Sequence, residues 1–171
     1  MIREAKKTDA FEIADVHVST WRHSYRGIMP QTYLDALCSE TRSKSWGSRI
    51  EDPNTYIKVY TVGDVICGFI AGGVCRDENL AGFDEIYAVY VLPGNQRNGV
   101  GLALTMAFLD EHPNSCSLWV LADNISAVKF YRSVGFHPDG HTKKITIDGK
   151  ELEEHRYIRL SPNNREHKTR R

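Results

Sequence analysis

The stretch Val91 to Leu104, "VLPGNQRNGVGLAL", constrains the fold more than any other part of the chain. The end of an apolar strand, a glycine-dense turn and the start of an apolar helix follow one another with no room for a linker. Strand and helix must therefore pack as one unit. The first N–H groups of a helix have no intrahelical partners, and the helix dipole adds partial positive charge to them, so a glycine turn there suits an anion resting on the backbone. Two phosphate motifs nearly fit and both fail. A Walker loop needs Lys and then Ser or Thr after its second glycine, whereas Gly94-x4-Gly99 runs into Val100-Gly101. A dinucleotide fingerprint starting at Gly99 needs glycine at position 104, which is leucine. What is left, Gln96-Arg97-Asn98-Gly99-Val100-Gly101, reads either as a tight turn or as a cradle in which Gly99 and Gly101 keep side chains away from a pyrophosphate.

The rest of the chain places this unit. "MIREAKK" reads as a short strand. "TDAFEIADVHVSTWRHSY" reads as a helix with Ile13 and Val16 on its apolar side, capped by Thr8-Asp9 and ended by Gly27. Pro30 suits the first turn of a second helix, and "SETRSKSWGSRIE" forms a third that brings Trp46 and Ile50 together. The period then shifts to two. "TYIKVYTV" and "VICGFIAGGV" form a hairpin across Gly63-Asp64, and "FDEIYAVYVLP" is a fourth strand. "GVGLALTMAFLDEHP" is a helix with Leu102, Thr105 or Met106, and Leu109 along one stripe. "SLWVLA" is a central strand, "ISAVKFYRSVG" a helix, and "HTKKITI" with "ELEEHRYIRL" a last hairpin across Asp148-Gly149. This order predicts an α/β (α+β) fold. Its sheet is mixed and mostly antiparallel, with six to seven strands, helices on both faces and one parallel pair formed by strands four and five.

Composition excludes several classes. Lys plus Arg and Asp plus Glu both number 22, so there is no basic footprint for nucleic acid. Arg3, Glu4, Lys6 and Lys7 interrupt any leader-like apolar core, and no apolar run approaches the ~20 residues that span a bilayer. Cys38, Cys67, Cys75 and Cys116 lack CxxC spacing, and His137 and His141 flank a Pro-Asp-Gly turn, so no metal site is expected. These features predict a cytoplasmic protein with free thiols and no membrane or nucleic-acid partner. They also predict one domain over residues 1–160 and a flexible basic tail over 161–171.

The motif Q-x-x-G-x-G after "YVLP", followed by "NISAVKFYRSVGF", resembles the two acetyl-coenzyme-A motifs of the GNAT N-acetyltransferase superfamily. Asn124, Ala127, Phe130, Tyr131, Gly135 and Phe136 carry the second. The resemblance implies a single GNAT-like domain whose fourth strand is bulged and splays from the fifth. It places the pantetheine arm against Val89, Tyr90 and Val91, and the pyrophosphate on Arg97 to Leu102 (Gln96, Arg97, Asn98, Gly99, Val100, Gly101 and Leu102 forming the loop and helix start). Acetyl-CoA is then the co-substrate and an amine the acceptor.

Acetyl transfer to an amine needs a neutral nucleophile. A lysine-like amine with a pKa near ~10.4 is only about 0.04% neutral at pH 7, a penalty of roughly 4.6 kcal/mol. The resemblance offers Glu85 as general base through water; the other reading is a surface carboxylate at a strand end. His23 is a rival base. The Val89 N–H is the expected oxyanion donor. Tyr131 stands where the family places a tyrosine facing the coenzyme sulfur. Because a phenol near ~10 is a weaker acid than a thiol near ~8.5, hydrogen bonding to the departing thiolate describes it better than proton donation. Asn124 either fixes the pantetheine or caps a helix. Trp21, Tyr25 and Tyr33, with Arg26 nearby, either wall an amine pocket or pack two helices together. Three functions stay open: transfer to a small primary amine, transfer to a protein N-terminus or lysine, and acetyl-CoA sensing without turnover. Exposed sheet edges also allow a homodimer.

Overall fold

The computed structural model describes residues 1–162, so the expected tail, apart from Ser161 and Pro162, lies outside the described residues. Ser161 itself still belongs to the domain. It is buried, and its N–H donates to the Ser115 hydroxyl at 3.0 Å.

The strands are β1 (Ile2–Glu4), β2 (Thr55–Val62), β3 (Val65–Val74), β4 (Asp84–Val91), β5 (Cys116–Leu121), β6 (His137–Ile147) and β7 (Lys150–Arg159). Among the described residues they form one seven-stranded sheet in the order β1-β2-β3-β4-β5-β7-β6. Every neighbouring pair is antiparallel except β4–β5. The helices are α1 (Ala10–Ser24), α2 (Gln31–Ala36), α3 (Ser39–Ile50), α4 (Val100–Glu111) and α5 (Ile125–Ser133).

Strand alternation divides the core between the two faces of the sheet. On one face Ile70, Ile86, Val91, Leu118 and Tyr157 meet Val100, Leu104 and Phe108 of α4, with Val128 and Tyr131 of α5 packed alongside. On the other, Ile57, Val59, Phe69 and Ala71 meet Ile13, Ala14 and Val16 of α1 and Trp46 of α3. A third cluster of Val18, Met29, Leu34, Leu37, Leu121 and Leu152 seats the α1–α2 segment on β5 and β7.

The parallel pair is short. Asp84 pairs with Cys116 and Glu85 with Ser117, and beyond them β4 and β5 part. On its other side β4 stays paired with β3, but the register slips between Ala71↔Ala88 and Gly72↔Ile86, so Tyr87 is the extra residue of a bulge. Bulge and splay together open a wedge-shaped gap in the middle of the sheet.

Two local expectations are corrected. The buried stripe of α4 is Val100, Leu104, Thr105, Phe108 and Leu109, while Leu102 is 48% and Met106 39% exposed. This helix is apolar on nearly every side, so periodicity alone cannot choose its inner face. Thr8-Asp9 gives α1 no side-chain cap, because the Asp9 carboxylate is taken by Arg3 at 2.6 Å and by the Lys6 N–H at 2.7 Å. The Arg3 hydrogen bond holds the Asp9 carboxyl below its usual range.

Candidate active site

The turn after β4 has the geometry of an anion cradle. Arg97 (φ 63°) and Gly99 (φ 80°) both stand in the left-handed region, and among the described residues no side chain caps the first turn of α4. Successive amides in alternating hands make a concave nest. An arginine held at positive φ is strained, a state that persists where surrounding structure enforces it and that clusters at ligand clamps. Gly99 faces open space, and Arg97, Asn98 and Gly99 are exposed. Gln96 reaches back instead, its Nε2 donating to the Val91 carbonyl at 2.9 Å, which fixes the loop to the strand. These groups fit a pyrophosphate resting on main-chain amides.

The gap continues from that cradle. The Leu92 N–H donates to the Cys67 carbonyl, so alternate residues Tyr90 and Ala88 also direct their main-chain groups at β3. The main-chain groups of Val89 and Val91 therefore face the gap. The Val91 carbonyl already accepts from Gln96 and, at 3.2 Å, from the Thr20 hydroxyl. The Val91 N–H and both groups of Val89 lie beyond the end of the β4–β5 ladder, placed for an extended arm. Tyr90 turns its main chain to β3 and packs its side chain on the α1-side cluster.

Three phenols converge there. The Tyr90 ring stacks on His17 (5.0 Å between centroids, 16°) and stands edge-on to Trp21 at 6.3 Å. Burial raises the Tyr90 phenol, and Trp21, Tyr25 and Arg42 offset part of that shift. Burial raises Tyr25 well above its ordinary value; Tyr90 and Tyr131 push the same way, while Asn124 opposes. Burial also raises Tyr131, with Tyr90 and Cys116 adding to it. All three hydroxyls are thus held neutral as hydrogen-bond donors. Asn124 additionally caps α5, its Oδ1 accepting from the Ala127 N–H at 3.2 Å.

Glu85 is committed to an ion pair. It is 2% exposed, and its carboxylate accepts from Arg76 at Nε (3.0 Å), Nη2 (2.5 Å) and the backbone N–H (2.9 Å). The Arg76 guanidinium in turn lies 4.3 Å from the centre of the Tyr87 ring. Glu85 is thereby built into a clamp that closes the β3–β4 connection over the bulge. His23 sits exposed on α1. Trp21, Tyr25 and Tyr33 stand together at the α1–α2 end of the gap, Trp21 5.1 Å from Tyr25 and 6.3 Å from Tyr33.

Two groups escaped sequence reasoning. Glu154, on the same face of β7 as buried Leu152, pairs with Lys143 at 3.3 Å and acts electrostatically on Tyr90. A charge among inward positions of a strand was its only signal. Arg42, from the polar helix α3, lies over Trp21 at 5.2 Å, and nothing in the sequence sets it apart from the other charges of that helix.

Comparison with known proteins agrees with this geometry. Residues 22–146 match the family model described as Acetyltransferase (GNAT) domain. An uncharacterized N-acetyltransferase of Bacillus subtilis, YuaI, is 37% identical over 137 residues, 77% of each chain. Among solved structures, PaiA N-acetyltransferase from Thermoplasma acidophilum in complex with coenzyme A aligns with a TM-score of 0.74 at 18% identity. That alignment covers 94% of this chain and 98% of the other. YncA from Salmonella typhimurium, with its cofactor acetyl-CoA, aligns at 0.71 and 18% identity over 94% and 92%.

Proposed function

We propose that this chain, which belongs to the GNAT family and is an acetyl-CoA-dependent N-acetyltransferase, passes its acetyl group directly to the primary amine of a small molecule held against Trp21, Tyr25 and Tyr33. The observation that carries the acceptor reading is how the α1–α2 segment is fastened. Lys150 Nζ donates to the Ile28 carbonyl at 2.6 Å, the Thr32 hydroxyl to Asp148 at 3.3 Å, and Leu34 packs beside Leu152. These contacts tie the segment to the β6–β7 turn at that end of the gap, which favours a small acceptor over an extended chain.

Each step is then assigned to residues of this chain. The amides from Arg97 to Leu102 hold the pyrophosphate, and the gap-facing groups of Val89 and Val91 align the pantetheine arm. The Val89 N–H donates to the developing oxyanion, and the Tyr131 hydroxyl donates to the departing sulfur. Because burial lifts Tyr131 above its ordinary value, full proton transfer from it is even less favourable than from a free phenol. Positioning two reactants in one cleft supplies most of the acceleration. The place of action that fits free thiols is the cytoplasm.

Coenzyme release measured over a panel of small amines and peptides tests this reading. Tyr131→Phe is expected to lower kcat about 10- to 100-fold and leave the KM for acetyl-CoA within about twofold. An unchanged kcat removes the hydroxyl from the mechanism. Consumption of peptides alone makes the acceptor a protein, and tight acetyl-CoA binding without turnover makes the domain a sensor.

The Arg76 clamp argues for a structural Glu85, with the amine giving its proton to water at the cleft mouth. The acid limb of kcat/KM for Glu85→Gln is then expected to coincide with that of the parent and to track the acceptor's own pKa. Unfolding stability of the variant should fall by about 1–2 kcal/mol as the buried charge-assisted bonds are lost. A limb displaced in Glu85→Gln returns the base role to Glu85.

A further inference from the structure

The cations around the acceptor wall differ in what they hold. Arg22 donates to the carbonyls of Leu34 (3.1 Å), Asp35 (3.2 Å) and Leu37 (2.7 Å), and so serves as a C-terminal cap for α2. Arg26 is exposed on the following turn. Arg42 is half-buried; its Nη2 donates to the Tyr33 hydroxyl at 3.3 Å, and it has no carboxylate partner among the described residues. Its guanidinium is held over the Trp21 ring, and it borders an open groove of about 370 Å³ lined by Tyr33, Leu37, Cys38 and Thr41.

Arg42 also acts at a distance. It helps to keep His17 neutral and to offset the upward shift of Tyr90, whereas Glu154 pushes Tyr90 the other way. The phenol in the gap is therefore within electrostatic reach of a cation on α3 and of a carboxylate on β7. That field suits a ligand whose own charges are opposite in sign and separated.

We propose that the acceptor is an amine that also carries a carboxylate, and that Arg42 binds this carboxylate while the amine faces Tyr90 and Tyr131. The inference rests on the small-amine reading above and narrows it. A guanidinium is a planar fork with five N–H donors, and the bond to Tyr33 leaves enough of them to grip a carboxylate at two points. Stacking on Trp21 orients the fork before the ligand arrives, so little freedom is lost on binding. Partial burial strengthens the ion pair relative to one in open water.

Matched acceptors test it. Phenylalanine, methionine and leucine are compared with their carboxamides, using acetyl-CoA and the full chain, as the parent and as Arg42→Gln and Arg42→Lys. The parent is expected to prefer acid over amide by at least about tenfold in kcat/KM. In Arg42→Gln that preference should collapse to near unity through a KM for the acids raised roughly 10- to 100-fold, with the KM for acetyl-CoA within about twofold. Arg42→Lys should recover part of the preference, because it keeps the charge and loses the fork. Equal use of acids and amides by the parent, or an unchanged ratio in Arg42→Gln, overturns the inference. Turnover of amines without a carboxylate, but of no member of these pairs, overturns it while leaving the transferase reading intact. Failure of every amine to react while acetyl-CoA binds defeats the underlying reading as well.

Discussion

Replacing Gly72 by alanine is expected to destabilise the fold by about 3 kcal/mol and to lower Tm by roughly 6–12 °C. A Cβ at this position would stand 2.3 Å from Phe108 Cε2, 2.8 Å from Phe108 Cζ and 2.7 Å from the Glu85 carbonyl. Neither neighbour can give way cheaply. Phe108 is fully buried, stacked on His112 at 4.1 Å and edge-on to Tyr56 at 5.1 Å. The Glu85 carbonyl belongs to a strand held by β3 on one side and, through Ser117, by β5 on the other. Gly72 thus lets α4 lie against the sheet where the bulge begins and the gap starts to open. Chemical denaturation of Gly72→Ala, alone and with Phe108→Leu, checks the cause. If the clash with the ring is responsible, the double variant is less destabilised than the sum of the two single changes. Strict additivity would place the strain in the Glu85 carbonyl contact instead.

Gly72 also marks how far the sequence could be read. The spans of β2 and β3 coincide with "TYIKVYTV" and "VICGFIAGGV", because β-branched and aromatic residues bounded by Gly63-Asp64 leave little choice. The parallel β4–β5 pair was legible from the helix between the two strands. What could not be read is the consequence of one extra residue in β4. The bulge at Tyr87 reverses the facing of everything after it, so Val89 and Val91 share the α4 face with Ile86 while Ala88 and Tyr90 end on the α1 face, which simple alternation does not give.

The same limit applied to the site. The turn at the start of α4 was legible because glycines mark it, and Arg97 and Gly99 take left-handed geometry. The fate of Glu85 was not visible. Its partner Arg76 sits in an aperiodic loop, and no local pattern announces a pair formed across the β3–β4 connection. Arg42 was hidden for the opposite reason. On a helix as polar as α3 every charge reads as solvated, and only tertiary packing shows which one lies over Trp21.

Acidification from pH 7.5 to pH 5 is expected to remove about 2 kcal/mol of stability through His17 alone. The ring is buried on α1, and its Nδ1 accepts from Trp46 Nε1 at 3.1 Å. The proton therefore belongs on Nε2, which is buried without a partner among the described residues. Burial, then the fields of Arg42 and Arg49, bring its pKa down from 6.5 to about 3. With the folded value below the unfolded one, the unfolded chain holds the extra proton between those two values. Stability from this residue is complete above about pH 6.5 and falls by roughly 1.4 kcal/mol per unit as pH drops toward 3. Urea unfolding of His17→Gln, whose amide can still accept from Trp46, should show a difference between pH 7.5 and 5 smaller by about 2 kcal/mol. An equal difference in both proteins would mean that His17 is not the group being protonated. Because His17 stacks on Tyr90 at 5.0 Å, a proton forced onto it loosens the wall between α1 and the gap. Acid should therefore weaken the acceptor end of the cleft before it reaches the amide cradle at the start of α4, and the KM counted for the neutral form of the amine should rise at a pH where the KM for acetyl-CoA is still unchanged.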